Sequence, residues 1–267
     1  MRSIPTESSR RGDRSRRRAL TLVELVVVLA ILVVLSSLIV PLIQGLGFQT
    51  NAATNATVID DVNRAMRAYA VRTDKQPNQW DSLLGTTGSR YTKLRDELSS
   101  YRNPTTQTIV DLLQVTTLTA AQVKSLNDVG IYDVRDANES SAVAPSSNNE
   151  LVRKLVNGGN VITLTLDGIS ALGGEFQSSH ATAEEPNELV VFGLGSNVTV
   201  QGATMMQIPL IQNSDPANHY ARVLCVYQIP VGTATVAFPA RYIGCFMPDG
   251  TTARKNIENY NSNAISN

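Results

Sequence analysis

Glu24 is the first side chain here whose chemistry demands an explanation. It is a carboxylate inside RRRALTLVELVVVLAILVVLSSLIVPLI, residues 16–43, a run otherwise soluble in lipid. At the centre of a spanning helix a carboxylate costs roughly 2.5–3.5 kcal/mol, so this one calls for a compensating positive charge. Other side chains capable of chemistry are few. Cys225 and Cys245 lack metal-site spacing and leave two alternatives, a disulfide or a pair of buried thiols. His180 and His219 fit no metal or triad pattern, which places them in surface loops. FGLGSN carries Gly193 and Gly195 without the third glycine or the context of a dinucleotide site, and it reads as a turn. Asp128, Asp133, Asp136 and Glu139 read as a solvated acidic face, with calcium ligation as the alternative, because their spacing is not that of a calcium loop. No GxSxG, P-loop or HExxH pattern occurs, so neither an enzyme nor a cofactor is indicated.

The elements that must position these residues begin with the run itself. From Leu25 to Ile43 there are 19 residues without a charge, and Ser36 and Ser37 can bond back to their own helix. At about 1.5 Å per residue such a helix reaches across a bilayer core. Valine and isoleucine form helices poorly in water, but lipid forces every backbone group to be satisfied within the segment. The first 19 residues hold seven of the 23 basic side chains and only Glu7 and Asp13 as acids, and the remainder is mildly acidic. A basic end beside an apolar run keeps that end in the cytoplasm and sends the rest outward. The rival use of a basic arm, nucleic-acid binding, needs a basic folded surface that this composition does not supply.

Four kinds of segment compete for this pattern. A buried core helix conflicts with apolar character all round the cylinder. A secretory signal matches the charged-then-apolar order, yet PLIQGLGFQTNAA offers poor small-residue cleavage sites. A twin-arginine signal matches SRRRAL and leaves Glu24 unexplained. The fourth accounts for the glutamate: RRRALTLVEL resembles the prepilin processing site of type IV pilins and type II secretion pseudopilins.

That resemblance implies a cut by prepilin peptidase between Ala19 and Leu20 and methylation of the new amine on Leu20. Glu24 becomes the fifth mature residue, where the family keeps its glutamate, and Pro41 the twenty-second, where many members carry proline. The family prefers glycine before the cut, and Ala19 is the departure. The physics fits the placement. The cut leaves an ammonium at a helix end that is already positive, and packing that end in a filament core requires a negative partner. In the family, the glutamate of one subunit neutralises the N-terminus of its neighbour and sets the axial stagger. The fold that follows is α+β and lollipop-like, a long N-terminal helix on a head with a short helix and an antiparallel sheet.

Along the chain this gives a basic leader at 1–19, a transmembrane and assembly segment at 20–43, an amphipathic continuation at 44–72, and a head at 73–267. Pro41, lacking an amide proton, predicts a kink or local melting, with Gly45 and Gly47 adding looseness. Ile59, Val62, Met66 and Tyr69 recur as one apolar stripe of a helix ending near Arg72, with Ala52, Ala53, Ala56 and Ala65 opposite. TDKQPNQWDSLLG predicts a turn at Pro77 and then a short apolar helix beginning at Trp80. Thr119 and Gln122 form a capping-box pattern, and Gly130 stops the helix predicted at 120–129. DANESSAVAPSSNNE, 136–150, reads as a flexible connection dividing the head into a helical first part and a β-rich second. VITLTLDG, ELVVFGLG, ARVLCVYQI and TATVAF read as strands. A turn centred near Thr235 sets Cys225 opposite Cys245, where a bridge would add about 3 kcal/mol.

Two functions remain. One is a structural subunit anchored in the inner membrane lipid with its N-terminus inside, whose partners are prepilin peptidase, other pilin or pseudopilin subunits and the assembly platform. The other is a signal-anchored envelope ectodomain with a binding or enzymatic role and no assembly.

Overall fold

The computed structural model describes residues 22–103, 106–137, 150–172, 176, 187–211, 218–234 and 238–265. The chain divides into two compact units, Met1–Leu46 and Gly47–Asn267. Helix α1 is assigned over Leu22–Thr73. In the first unit its described side chains are those of residues 22–37 and Leu46. There the Ser37 hydroxyl donates to the Val34 carbonyl at 2.7 Å, the bond back to its own helix that the sequence suggests. The helix assignment passes through position 41, while the side chains of residues 38–45, Pro41 and Gly45 included, lie outside the described residues.

In the second unit α1 buries a stripe of Ala52, Asn55, Ile59, Val62 and Met66, with Tyr69 half-buried at its end. Steps of three and four keep these positions on one face of a 3.6-residue helix. Asp60 and Arg64 pair on the exposed side at 2.6 Å. Ala52 corrects the sequence reading, since it belongs to the buried stripe and not to the face opposite. Its small side chain lets the turn approach the core. Asp74, at φ 55°, bends the chain away where the helix ends.

The head then runs β1 (Trp80–Gly85), a 3-10 turn (Asp96–Leu98), β2 (Tyr101–Arg102), β3 (Ile109–Val110), β4 (Leu113–Thr117) and α2 (Ala120–Asp128). It continues with β5 (Asp133–Ala137), β6 (Glu150–Lys154), β7 (Asn160–Leu164), α3 (Leu166–Ala171), β8 (Asn187–Gly193), β9 (Leu224–Pro230), β10 (Arg241–Phe246) and α4 (Ala253–Ile265). The architecture is α+β, with an N-terminal helix and a sheet-rich C-terminal part. Among the described residues the main sheet has the order β10-β9-β8-β1-β5-β6, with β7 joining β8 to β4. Strand β8 is paired along its whole length with β9, while its other edge is shared between β7 at Val190 and Val191 and β1 at Gly193.

Three expectations are corrected here. The segment from Trp80 is a strand and not a helix. Every residue of β1 is buried, and β1 pairs in parallel with β5, a long-range partnership that local pattern does not reveal. Its register slips between Asp81 and Gly85, where Leu83 takes φ 61° and the Ser82 hydroxyl accepts from the Leu84 amide at 3.1 Å. The head is not divided at 136–150. Asp136 and Ala137 belong to β5, Glu150 opens β6, and the two strands pair antiparallel, so one sheet draws on both sides of that stretch. Residues 138–149 lie outside the described residues. Finally, the described part of TATVAF is not a strand, and the partner of β9 is RYIGCF.

Helix α2 forms as its sequence dictates. The Thr119 hydroxyl accepts from the Gln122 amide, the Gln122 side chain accepts from the Thr119 amide, and Gly130 at φ 99° ends the helix. The sheet is buried on both faces at its centre. Val190, Phe192, Val223, Cys225, Tyr227 and Ile229 join Ile59, Val62 and Met66 of α1 in one core. Leu189, Val191, Leu224 and Val226 point into a second core with Phe176 and Phe246. Such two-sided burial explains why β8 and β9 read as almost unbroken apolar runs.

Candidate functional site

Ala19 and Leu20, the expected cleavage and methylation positions, lie outside the described residues. Glu24 stands in the first turn of α1 and is exposed. A carboxylate there is favoured by the positive end of the helix dipole. Around it the described apolar side chains point to every side. Leu22 is 77% exposed, and Val26, Val27, Leu29 and Ile31 remain about half exposed although they occupy successive directions around the cylinder. Among the described residues of its own unit a helix exposed all round has no burial partner, and the chemistry it can offer is association with lipid or with other apolar helices. Among the described residues no helix is long and apolar enough to cross a membrane. The described side chains of the run stop at Ser37, inside the 19-residue stretch that the sequence carries.

In the head, Cys225 and Cys245 are direct partners across β9 and β10, and both are buried free thiols. The β10 strand makes this arrangement with one extra residue. Tyr242 pairs with Tyr227, Gly244 pairs with Val226, and Ile243 is bulged out between them. The bulge returns both Tyr242 and Cys245 to the face that carries Tyr227 and Cys225. The Cys245 thiol donates to the Ile59 carbonyl at 3.7 Å and to Asn63 Oδ1 at 3.6 Å, and the Tyr242 hydroxyl donates to the same Asn63 oxygen at 2.7 Å. Burial holds the Cys225 thiol well above its ordinary pKa, helped by the hydrogen bond with Cys245. The Tyr227 and Tyr242 hydroxyls are likewise pushed well up, by burial first and by the neighbouring thiols second.

Among the described residues, Asp128, Asp133 and Asp136 are not brought together as a cation site. Asp128 pairs with Lys124 on the surface of α2. Asp133 accepts from the Asn78 side-chain amide at 3.4 Å. Asp136 accepts from the Arg153 guanidinium at 2.7 Å and from the Ser82 hydroxyl at 2.6 Å. Among the described residues no group of three or more histidine, cysteine or carboxylate side chains is placed to hold a metal. Glu139 and His180 lie outside the described residues, and His219 is exposed.

Sequence reasoning missed one polar arrangement. Tyr220, buried, donates its hydroxyl to Asp81 at 2.6 Å, and a side chain at Gly193 would meet the Tyr220 hydroxyl while one at Gly195 would meet the Asp81 carboxylate. The paired glycines of FGLGSN therefore serve close approach as well as a turn. Their spacing was the available signal. Sequence reasoning also missed Asn63, an ordinary polar residue of α1 that joins Tyr242 and Cys245 to the helix.

Residues 14–40 match the prokaryotic N-terminal methylation motif. This is the prepilin-type cleavage and methylation segment of type IV pilins and pseudopilins, and it implies processing by a prepilin peptidase, assembly with other pilins and membrane anchoring through the N-terminus. No curated protein and no solved structure matches the chain.

Proposed function

We propose, from a prepilin-type N-terminus followed by an exposed apolar helix, that this chain is a structural subunit, not an enzyme, polymerised into a type IV pilus-like or type II secretion pseudopilus filament. Prepilin peptidase cuts after Ala19, Leu20 receives the methyl group, and the segment 20–43 holds the subunit in the cytoplasmic membrane until assembly. The head lies outside the cytoplasm.

The observation that carries this reading is the coincidence of the motif match over residues 14–40 with an apolar helix exposed on every side around Glu24. Glu24 then has a definite task. In the membrane it sits close to the cytoplasmic interface, where a carboxylate costs less than at the midplane. In the filament it meets the methylated ammonium of an adjoining subunit, and this contact fixes the stagger between copies.

The test is mass spectrometry of the N-terminal peptide of the protein taken from native envelopes. A chain beginning at N-methylated Leu20 is expected. A chain that retains its basic leader, in cells whose other prepilins are processed, would refute the proposal.

A further inference from the structure

We propose that Arg67 and Arg241 bind the phosphate of a phosphomonoester in a pocket of the unit Gly47–Asn267, a site that depends on neither export nor assembly. The pocket, about 280 Å³, lies between Met66, Arg67 and Ala70 of α1 and the opening residues of β10, Arg241 and Tyr242, with Gln76 also on its wall. Met66 is 1% exposed, so the arginines stand beside an apolar surface. At about 30 Å³ for a water molecule, this volume admits a phosphate group and the first atoms of the group esterified to it.

The charge of the pocket carries the inference. Its only charged side chains are the two guanidiniums, and no carboxylate lines it among the described residues. Neither arginine is in an ion pair among the described residues. Arg64, on the same helix, shows the contrast: Asp60 four residues before it pairs with it at 2.6 Å. Around Arg67 the helix neighbours at three and four residues are Arg64, Asn63, Ala70 and Val71, none of them acidic. A larger cavity on α1, about 480 Å³, holds Asp61 together with Arg64 and is balanced in charge. Here two like charges from distant parts of the chain share one concavity, an arrangement that an anion between them relieves.

The remaining polar groups are donors or already engaged. Gln76 Oε1 accepts from the Tyr227 hydroxyl at 3.4 Å, which leaves its side-chain NH₂ to offer. The Tyr242 hydroxyl gives its proton to Asn63. The Arg241 guanidinium lies over the Phe238 ring, 5.7 Å from its centroid, and such stacking uses the face of the guanidinium while its N–H edge stays available. One planar carboxylate is satisfied by a single guanidinium fork. Two forks arriving from a helix and a strand suit a tetrahedral group with three free oxygens, and two positive charges match the nearly dianionic phosphomonoester. A soluble sugar phosphate and a phospholipid headgroup both carry that group.

The experiment uses the full chain in detergent at constant ionic strength and about pH 7.5, where a phosphomonoester is close to its dianion. Inorganic phosphate, at about tenfold its dissociation constant, is expected to raise the melting temperature of the head by about 3–5 °C over chloride. It should also protect Arg67 and Arg241 from phenylglyoxal, read by peptide mass spectrometry, while Arg64 and Arg254 react as before. Arg67→Gln and Arg241→Gln should each weaken phosphate binding by about fivefold or more, and Arg254→Gln should not. Protection spread evenly over the exposed arginines, or equal stabilisation by acetate, overturns the site. If either variant no longer melts cooperatively, protection in the unsubstituted chain decides. Glycerol 3-phosphate and dihexanoyl phosphatidic acid below its micelle concentration then separate the sources. Tighter binding of one names the soluble ester or the lipid headgroup, and equal binding places recognition in the phosphate alone. Failure of both esters where inorganic phosphate binds overturns the phosphomonoester.

Discussion

Two stretches of α1 use the same kinds of residue and end in opposite surroundings. Leu22 to Leu35 is almost continuously Val, Leu and Ile, and these side chains are about half exposed or more. Ile59, Val62 and Met66 are no more than 1% exposed. The difference is periodic rather than compositional. In the second stretch charged and polar residues fill the remaining faces, so one stripe can be covered by the sheet while the rest meets water. In the first no face is polar except at Glu24, and no single packing partner can cover a cylinder on all sides. One stretch is completed by its own head. The other presents apolar side chains on every side, a surface that suits the lipid or the neighbouring copies of the proposed filament.

The sharpest way to break this comparison is to remove the single charge from the first stretch. Glu24→Ala is expected to abolish assembly while leaving the protein in the membrane fraction, because insertion depends on the apolar run and register depends on the carboxylate. Glu24→Gln separates charge from shape and is expected to fail in the same way. Filaments sheared from cells, set against protein retained in envelopes, give the measurement. Normal filaments from either variant would favour the signal-anchored ectodomain, in which this residue sets no register between copies.

The second stretch is tested by stability. Met66 is buried against the sheet, so Met66→Ala is expected to destabilise the head by about 2–5 kcal/mol through lost transfer energy and a residual cavity. Val71, five residues further on the same helix and 88% exposed, should tolerate alanine within about 0.5 kcal/mol. Neither change should alter membrane retention. Denaturant unfolding of the detergent-solubilised chain, followed by the fluorescence of Trp80, reads the contrast directly. Equal effects at the two positions would mean that the stripe is not what holds the helix to the head.

The same contrast decides what could be read in advance. The stripe of α1, the capped helix α2 and the apolar strands β8 and β9 were legible because local chemistry and final environment agree in them. Thr119 and Gln122 cap each other, and β8 and β9 are buried on both faces. Strand β1 was not legible. Trp80, Leu83 and Leu84 carry no alternation, the parallel partner lies at Asp133–Ala137, and the register break at Leu83 disguises the run further. TATVAF has the composition of a strand, yet its described residues belong to none, and the partner of β9 is Arg241–Phe246, where the Ile243 bulge brings Tyr242 and Cys245 to one face. The opposition of Cys225 and Cys245 was legible from the turn between them. The Asn63 contact was not, because it depends on how α1 lies across the sheet.

The smallest predicted effect refines the comparison from inside the head. Cys225, Tyr227 and Tyr242 keep their protons in the folded state because burial raises their pKa values, whereas in the unfolded chain a thiol ionises above about pH 8.5 and a phenol above about pH 10. Above those values the unfolded state binds fewer protons than the folded one, so stability is fully present below them and falls as pH rises. The loss is at most about 1.4 kcal/mol per pH unit for each group. In the reduced protein it should begin near pH 8.5, with the Cys225 thiol. A Cys225–Cys245 bridge has no thiol to titrate, so the onset in oxidised protein should move to about pH 10, where only the tyrosines respond. Melting temperatures measured from pH 7 to 11 on both redox forms check this, and identical onsets would show that the buried thiol contributes nothing to the alkaline limit of the head.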